Sequence, residues 1–261
     1  VGDRAVKTPL ALEKTTKIIH IDIDPAEIGK NIGADLPLVG DAKLVLQQMT
    51  ELAKPMKHDE WIAHIKTLGG ERKYVEPAKG TVNPRVFIDR LAKKMPANVT
   101  VVADVGQNQI WTCTEYKFRK EGRLLTSGGM GTMGYSVPAA IGAKMADNSR
   151  ATVAICGDGA FQMSFMELAT AVQFGVDIKV VVMTNNRLGM VRELQTNGYH
   201  DRQTAVFLDG SPDFIKLAEA YGIPAMRVYD DDTMEKGVEM LAEHKGICLV
   251  EVVVDKDMPT L

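Results

Sequence analysis

The sequence has 261 residues, 45% of them hydrophobic and 25% charged, with a formal net charge of −3. That is enough chain for one large or two small domains, and the charge excludes the clustered excess of Lys and Arg that a nucleic-acid surface needs. No apolar run approaches the roughly 20 residues of a membrane span, Val1-Gly2-Asp3-Arg4 does not read as a signal peptide, and Cys113, Cys156 and Cys248 are scattered and odd in number, which fits the reducing cytoplasm rather than a disulfide framework.

In chain order, Lys17 to Ile23 reads as a buried strand, and Leu44, Gln47, Gln48 and Leu52 form one face of a helix. Residues 1–54 are too short to bury a core alone and are expected to be the C-terminal remnant of a preceding α/β domain. Residues 55–80, with Pro55, Gly69-Gly70, Pro77 and Gly80, read as a linker containing a short helix around Trp61 and Ile65. From residue 81 onward strands alternate with helices. Asn83-Pro84 opens a helix whose inner face is Ile88, Leu91, Ala92 and Met95. Short apolar strands are predicted at 99–103, 151–156, 178–183 and 247–254. Between them, Phe165, Leu168, Ala169 and Val172 mark one helix, Ser211-Pro212 caps a second, and Asp232 to Glu235 resembles a capping box for a third. Near-continuous apolar strands separated by amphipathic helices imply an α/β fold: a doubly wound, mostly parallel sheet covered on both faces.

Ligands in such a sheet bind beyond the carboxyl ends of the strands. Three strands there run into small polar groups: Asp104-Val105-Gly106-Gln107-Asn108-Gln109, Gly157-Asp158-Gly159 and Thr184-Asn185-Asn186. The glycines allow a sharp turn and close approach of backbone to ligand. A carboxylate at 158 and an amide oxygen at 185, with a backbone carbonyl, make an oxygen set suited to Mg²⁺, which binds few protein oxygens plus phosphates and water. The helix expected after Gly159 would offer free N–H groups to an anion. Gly-Asp-Gly and Asn-Asn are also common turn sequences; their pairing at consecutive strand ends favours the ligand reading.

That pairing resembles the signature of thiamine diphosphate enzymes. The segments Asp104 to Trp111, Ser127 to Tyr135, Leu188 to Arg192 and Ile19 to Lys30 are similar to one branch, the catalytic subunit of acetolactate synthase (acetohydroxyacid synthase). The resemblance implies Mg²⁺ ligands at Asp158, Asn185 and the carbonyl of Arg187. It implies diphosphate contacts from Gln107, Asn108, Gly159 and Ala160, and contacts to the cofactor rings from Gly131, Met133 and Met190. Many relatives carry His where Asn108 stands. Asp22 and Ile23 match positions that contact FAD, so the complete enzyme would hold FAD as well. The expected reaction, in branched-chain amino acid biosynthesis, joins decarboxylated pyruvate to a second 2-keto acid. Expected partners are these substrates, a second copy in a homodimer or tetramer and a regulatory small subunit, with no nucleic acid and no membrane.

No catalytic residue is expected within the chain. The acid that activates the cofactor in this family is a Glu from another domain, expected upstream of Val1, so the 261 residues alone are expected to be inactive. Relatives often have Trp where Leu194 stands, which bears on the choice of second substrate. Arg187 to Val206 is polar and is expected to be a mobile closing loop. Two other readings stay open: another thiamine diphosphate-dependent carboligase or decarboxylase, or a non-catalytic phosphate-binding α/β module.

Overall fold

A computed structural model describes residues 16–68 and 74–260. The chain forms two compact units divided between Glu71 and Arg72. Residues 1–15 of the expected remnant and Gly69-Gly70 of the expected linker lie outside the described residues.

The first unit contains β1 (Ile19–Asp22) paired in parallel with β2 (Leu36–Val39), then α1 (Ala42–Leu52) and α2 (Asp59–Leu68). Asp41 caps α1 by accepting from the N–H groups of Lys43 and Leu44. The strand at Lys17 to Ile23 was expected to be buried. It is instead half-exposed, and Ile23 is 71% exposed, because among the described residues β1 has only one neighbouring strand, β2.

The second unit is a six-stranded parallel sheet. Its strands are β3 (Thr100–Ala103), β4 (Arg123–Thr126), β5 (Thr152–Gly157), β6 (Lys179–Thr184), β7 (Ala225–Val228) and β8 (Cys248–Val253), in the order β4-β3-β5-β6-β8-β7. Its helices are α3 (Pro84–Lys94), α4 (Gln107–Glu115), α5 (Ser136–Ala146), α6 (Asp158–Phe161), α7 (Leu168–Gln173), α8 (Gly189–Gly198), α9 (Phe214–Ala220) and α10 (Asp231–Glu243). Successive strand residues point to opposite faces. Val101, Ile155, Val181 and Val250 therefore pack with Phe87, Leu91, Trp111 and Leu241 on one face. Val102, Ala154, Val182 and Leu249 pack with Val137, Phe161, Leu168 and Phe214 on the other. Both faces of every central strand are filled, which is why those strands read as unbroken apolar runs.

The strand order places the site. The connection after β3 runs outward to β4, while β5, β6 and β8 extend the sheet the other way. The order therefore reverses between β3 and β5, and a crevice opens at their carboxyl ends.

Several local expectations need correction. The helix expected from Phe161 to Phe174 is broken into α6, a short 3-10 turn at Phe165–Glu167, and α7. The cap of α9 is Asp213, not Ser211. The capping box of α10 uses Asp230 and Thr233, beginning earlier than Asp232. In both cases a carboxylate closer to the helix start competes successfully for the free N–H groups. Arg187 to Val206, expected as a loop, contains α8 and an antiparallel bridge between Arg187 and Phe207. The stretch from Gly189 to Gln195 holds no proline, and Arg192 is buried, so the polar composition conceals an inward face.

At α3, Asn83 Oδ1 accepts from Arg85 N (2.9 Å) and Val86 N (3.4 Å), while its Nδ2 donates to Val75 O (2.9 Å). Replacing Asn83 by Ala should cost about 1–2 kcal/mol, the upper range for a lost cap, because a tie to the preceding segment goes with it. Chemical denaturation would show this as a lower midpoint with an unchanged slope; an unshifted midpoint would refute it.

Candidate functional site

The loops after β3, β5 and β6 meet the start of α8 around one cleft of about 100 Å³. Its lining includes Gln107, Asn108, Met133, Asp158, Gly159, Ala160, Asn185, Arg187 and Met190, nine of the residues singled out from sequence. Gly131 does not line it: it sits in an exposed turn with φ +69°. Met133 reaches the cleft, and its Cε lies 3.4 Å from where a side chain on Gly159 would begin. Leu194 is 63% exposed on α8. Asp22 and Ile23 belong to the other unit. There Asp22 Oδ1 accepts from Asp24 N (2.9 Å), so the described residues of that unit do not by themselves enclose a flavin.

Asp158 is the electrostatic centre. It is 2% exposed. Its Oδ2 accepts from Asn185 N (3.1 Å) and Asn186 N (2.6 Å), and its Oδ1 from Gly159 N (2.8 Å). No Lys or Arg among the described residues pairs with it. Burial pushes its carboxyl up from 3.8 to about 6, against the pull of the N–H groups of Asn186, Gly159 and Asn185. Three backbone dipoles thus fail to compensate a desolvated charge.

Asn185 Oδ1 accepts from Arg187 N (3.1 Å), and the turn is closed by Asn186 at φ +54°, a conformation that Asn tolerates better than most residues. Leu188 N donates to Val206 O and Leu208 N to Asn186 O, which pins residues 186–188 from the far side. The Arg187 carbonyl accepts no hydrogen bond from the described residues. One buried carboxylate, one amide oxygen and one open carbonyl fit a hard divalent cation. Among the described residues no three His, Cys, Asp or Glu side chains gather for a metal, so a softer, all-side-chain site has no basis here.

The anion side is made by helix starts. Asp41, Asn83, Asp213 and Asp230 cap α1, α3, α9 and α10. The helices that begin at the cleft, α4, α6 and α8, carry no side-chain cap. The first N–H groups of α4 and α8 are left for a ligand, at the positive end of a helix of nine or ten residues, whereas on α6 the Gly159 N–H already donates to Asp158. Gly106, before α4, has φ +148°, and a Cβ there would lie 2.5 Å from Asn108 Oδ1. Only glycine permits this approach.

The amides of Gln107 and Asn108 are engaged with protein in this arrangement. Asn108 Nδ2 donates to Asp104 O (2.9 Å) and Ile155 O (3.2 Å), tying the ends of β3 and β5 together. Gln107 Nε2 donates to Met258 O (3.0 Å), Thr260 Oγ1 (3.1 Å) and Glu193 Oε2 (3.2 Å). Sequence reasoning missed two carboxylates beside the cleft. Asp104, fully buried, accepts from Gly134 N (3.0 Å) and Ser136 N (2.8 Å) and so fixes the loop bearing Met133. Glu193 holds the end of the chain against Gln107. A buried Asp after a strand and a Glu four residues into a helix were the signals available.

The family described as thiamine pyrophosphate enzyme, C-terminal TPP binding domain, matches residues 104–252, more than half of the chain. The chain belongs to the thiamine pyrophosphate enzymes. The central domain of the same enzymes matches residues 1–49. Among curated relatives, this thiamine pyrophosphate enzyme is 36% identical over 256 residues to the acetolactate synthase large subunit of Lactococcus lactis, covering 97% of the chain and 44% of the relative. It is 38% identical over 250 residues to a probable acetolactate synthase large subunit of Methanocaldococcus jannaschii, covering 92% of the chain and 42% of that protein. It is 40% identical over 254 residues to an acetolactate synthase of Mycobacterium leprae, covering 92% of the chain and 40% of that protein. The chain thus spans less than half the length of these relatives.

The raised carboxyl of Asp158 has a signed consequence. The folded chain holds this proton more tightly than the unfolded chain, so the stabilising contribution is fully present below pH about 4 and is lost as pH rises through about 6. Between pH 7 and pH 5 the metal-free protein should gain about 1 kcal/mol relative to Asp158→Asn, a difference of a few degrees in melting temperature. Parallel melting curves for the two proteins across that range would rule the assignment out.

Proposed function

We propose that this chain is the cofactor-anchoring portion of an acetolactate synthase catalytic subunit, acting on pyruvate and a second 2-keto acid. The observation that carries this reading is the uncapped, cation-ready cleft around Asp158, on a chain aligned over nearly its whole length with acetolactate synthases. Residues 1–54 belong to the central domain, which in the complete protein holds FAD; 55–80 form a linker and 81–261 the diphosphate-binding domain. The working form is a homo-oligomer in the cytoplasm, open to a regulatory subunit; three free cysteines agree with that compartment, and no helix of the described residues is long and apolar enough to cross a membrane.

Asp158, the Asn185 side chain and the Arg187 carbonyl hold Mg²⁺. The first N–H groups of α4 and α8, with those of Gly159 and Ala160, receive the diphosphate. Asn108 joins them only by exchanging its present protein partners, while Gln107 keeps its own and bears on the site through Asn185. Met133 and Met190 bear on the cofactor rings from the cleft wall. Thiamine diphosphate, when bound, supplies the decarboxylation and carbon–carbon bond chemistry. The chain's own work is to anchor, orient and desolvate it. The acidic group that activates the cofactor comes from outside these 261 residues.

Trp111 lines the cleft, and the sequence has only one other Trp, at position 61. In a Trp61→Phe background, thiamine diphosphate should quench Trp111 fluorescence only when Mg²⁺ is present, and Asp158→Ala should abolish the response. Equal binding by the Asp158→Ala protein would remove the metal assignment and leave the phosphate-binding-module reading. The purified 261-residue chain should form no acetolactate from pyruvate; turnover above background would show that the activating group lies within it.

The family resemblance places Trp in many relatives where Leu194, a smaller side chain, stands here. In the catalytically complete enzyme, competition between pyruvate and 2-ketobutyrate should show weak discrimination, rising in Leu194→Trp. Strong 2-ketobutyrate preference with Leu194 in place would dismiss this role.

A further inference from the structure

A relay of hydrogen bonds joins Glu193, outside the proposed cation site, to Asn185 within it. Glu193 Oε1 accepts from Thr260 N (2.9 Å), and its Oε2 accepts from Gln107 Nε2 (3.2 Å) and from the hydroxyl of Thr260. Gln107 Oε1 accepts from Asn185 Nδ2 (3.3 Å), and Asn185 Oδ1 accepts from Arg187 N (3.1 Å). The direction of each amide follows from its partners. Gln107 Nε2 sits among three oxygens, those of Met258, Thr260 and Glu193, a place where an amide oxygen would meet a carbonyl and a carboxylate. Gln107 Oε1 is therefore turned toward Asn185, which must answer with its NH₂. That leaves the Asn185 oxygen, not its nitrogen, on the side of Arg187, from whose N–H it accepts. The relay is tightly enclosed: a Cβ on Gly189 would lie 1.9 Å from Gln107 Oε1 and 3.1 Å from Asn185 Nδ2.

We infer that Glu193 is a positioning residue for the cation: acting through Gln107, it fixes which end of the Asn185 carboxamide faces the metal. The inference rests on the reading of Asp158 and Asn185 as Mg²⁺ ligands. A flipped amide would present N–H groups to a divalent cation and deprive it of one of its few protein oxygens. Groups that orient a ligand in this way typically control metal affinity by 10–100-fold.

Glu193→Gln keeps the size of the side chain. Its oxygen can still accept from Thr260 N, which places its NH₂ against Gln107 Nε2. Two donors then face each other, and Gln107 relieves the conflict by turning over, followed by Asn185. In the Trp61→Phe chain, with thiamine diphosphate present, Glu193→Gln should raise the Mg²⁺ concentration needed for half-maximal quenching of Trp111 about tenfold. The melting temperature of the metal-free protein gives the stability control. Thr260→Val, which removes one acceptor of Gln107 at constant volume, should move the midpoint the same way by a smaller factor.

Asn185→Asp provides the readout that a merely structural role would not move. A carboxylate offers oxygen in either orientation and prefers a donor from Gln107, so on this background Glu193→Gln should leave Mg²⁺ affinity unchanged or tighten it. An equal loss of affinity in both backgrounds, or no loss in either, overturns the positioning role. If the Asp158→Ala chain responds to Mg²⁺ like the unsubstituted one, or neither responds, the cation site itself fails and the inference fails with it.

Discussion

A buried carboxylate without a cationic partner, at the carboxyl end of the central strand β5, governs the second unit. Taking a carboxylate out of water costs several kcal/mol even after the protein relaxes. Asp158 meets that cost with three N–H groups and no cationic side chain, and the pKa shift to about 6 records the shortfall. The surrounding loops are arranged to keep the charge where it is. Two successive N–H groups, of Asn185 and Asn186, converge on one oxygen, and Asn186 then turns the chain through a left-handed backbone. The pairing of residues 186–188 with 206–208 holds that turn from behind.

The same end of the sheet concentrates departures from local rules. Helices α1, α3 and α10 receive Asp or Asn caps, while α4 and α8 at the cleft start without one, as does α7 away from it. Helix α5 has no cap of its own, yet its first N–H is satisfied by Asp104 from the end of β3. Natural sequences break local consistency at functional sites and compensate elsewhere. Here the compensation is the pair of filled faces beneath, with Phe87, Trp111 and Leu241 on one side and Phe161 and Phe214 on the other.

Legibility in the sequence followed burial and range. β5, β6 and β8 are buried on both faces and stand out as apolar runs, so the sheet and its strand ends could be placed, and with them Asp158 and Asn185. The edge strands β4 (RLLT) and β7 (AMRV) are four residues long and partly exposed, and they carried no comparable run. α5 opens with Ser-Val-Pro and contains Gly142, which hides its helical face. The roles of Asp104 and Glu193 were illegible for another reason. Their partners lie 30 to 86 residues away, and no local pattern encodes such a pairing. Leu194 sits at a position singled out by resemblance alone, and the fold places it on an exposed helix face.

On the proposed reading, charge balance favours a cation entering this cleft together with a diphosphate. Asp158 and Arg187 are the charged residues among those lining it. The Arg187 guanidinium is committed elsewhere: it pairs with Asp209 (2.9 Å), donates to Asn186 O (2.7 Å) and stacks on Phe207 at 4.6 Å. Arg192, the next basic side chain along α8, is drawn toward Asp257 and the carbonyl of Met258. A diphosphate entering alone would meet partial positive charge from helix starts, worth about 0.5 of a charge each, beside a full negative charge on Asp158. On the proposed reading a divalent cation would reverse that balance: held by Asp158, Asn185 and the Arg187 carbonyl, it would offset the buried carboxylate, and the helix starts would receive phosphate oxygens. The neutral side chains in contact beside the proposed cation position, Gln107 and Asn185, would then have orientation as their main electrostatic variable, which gives a device that sets amide direction its use.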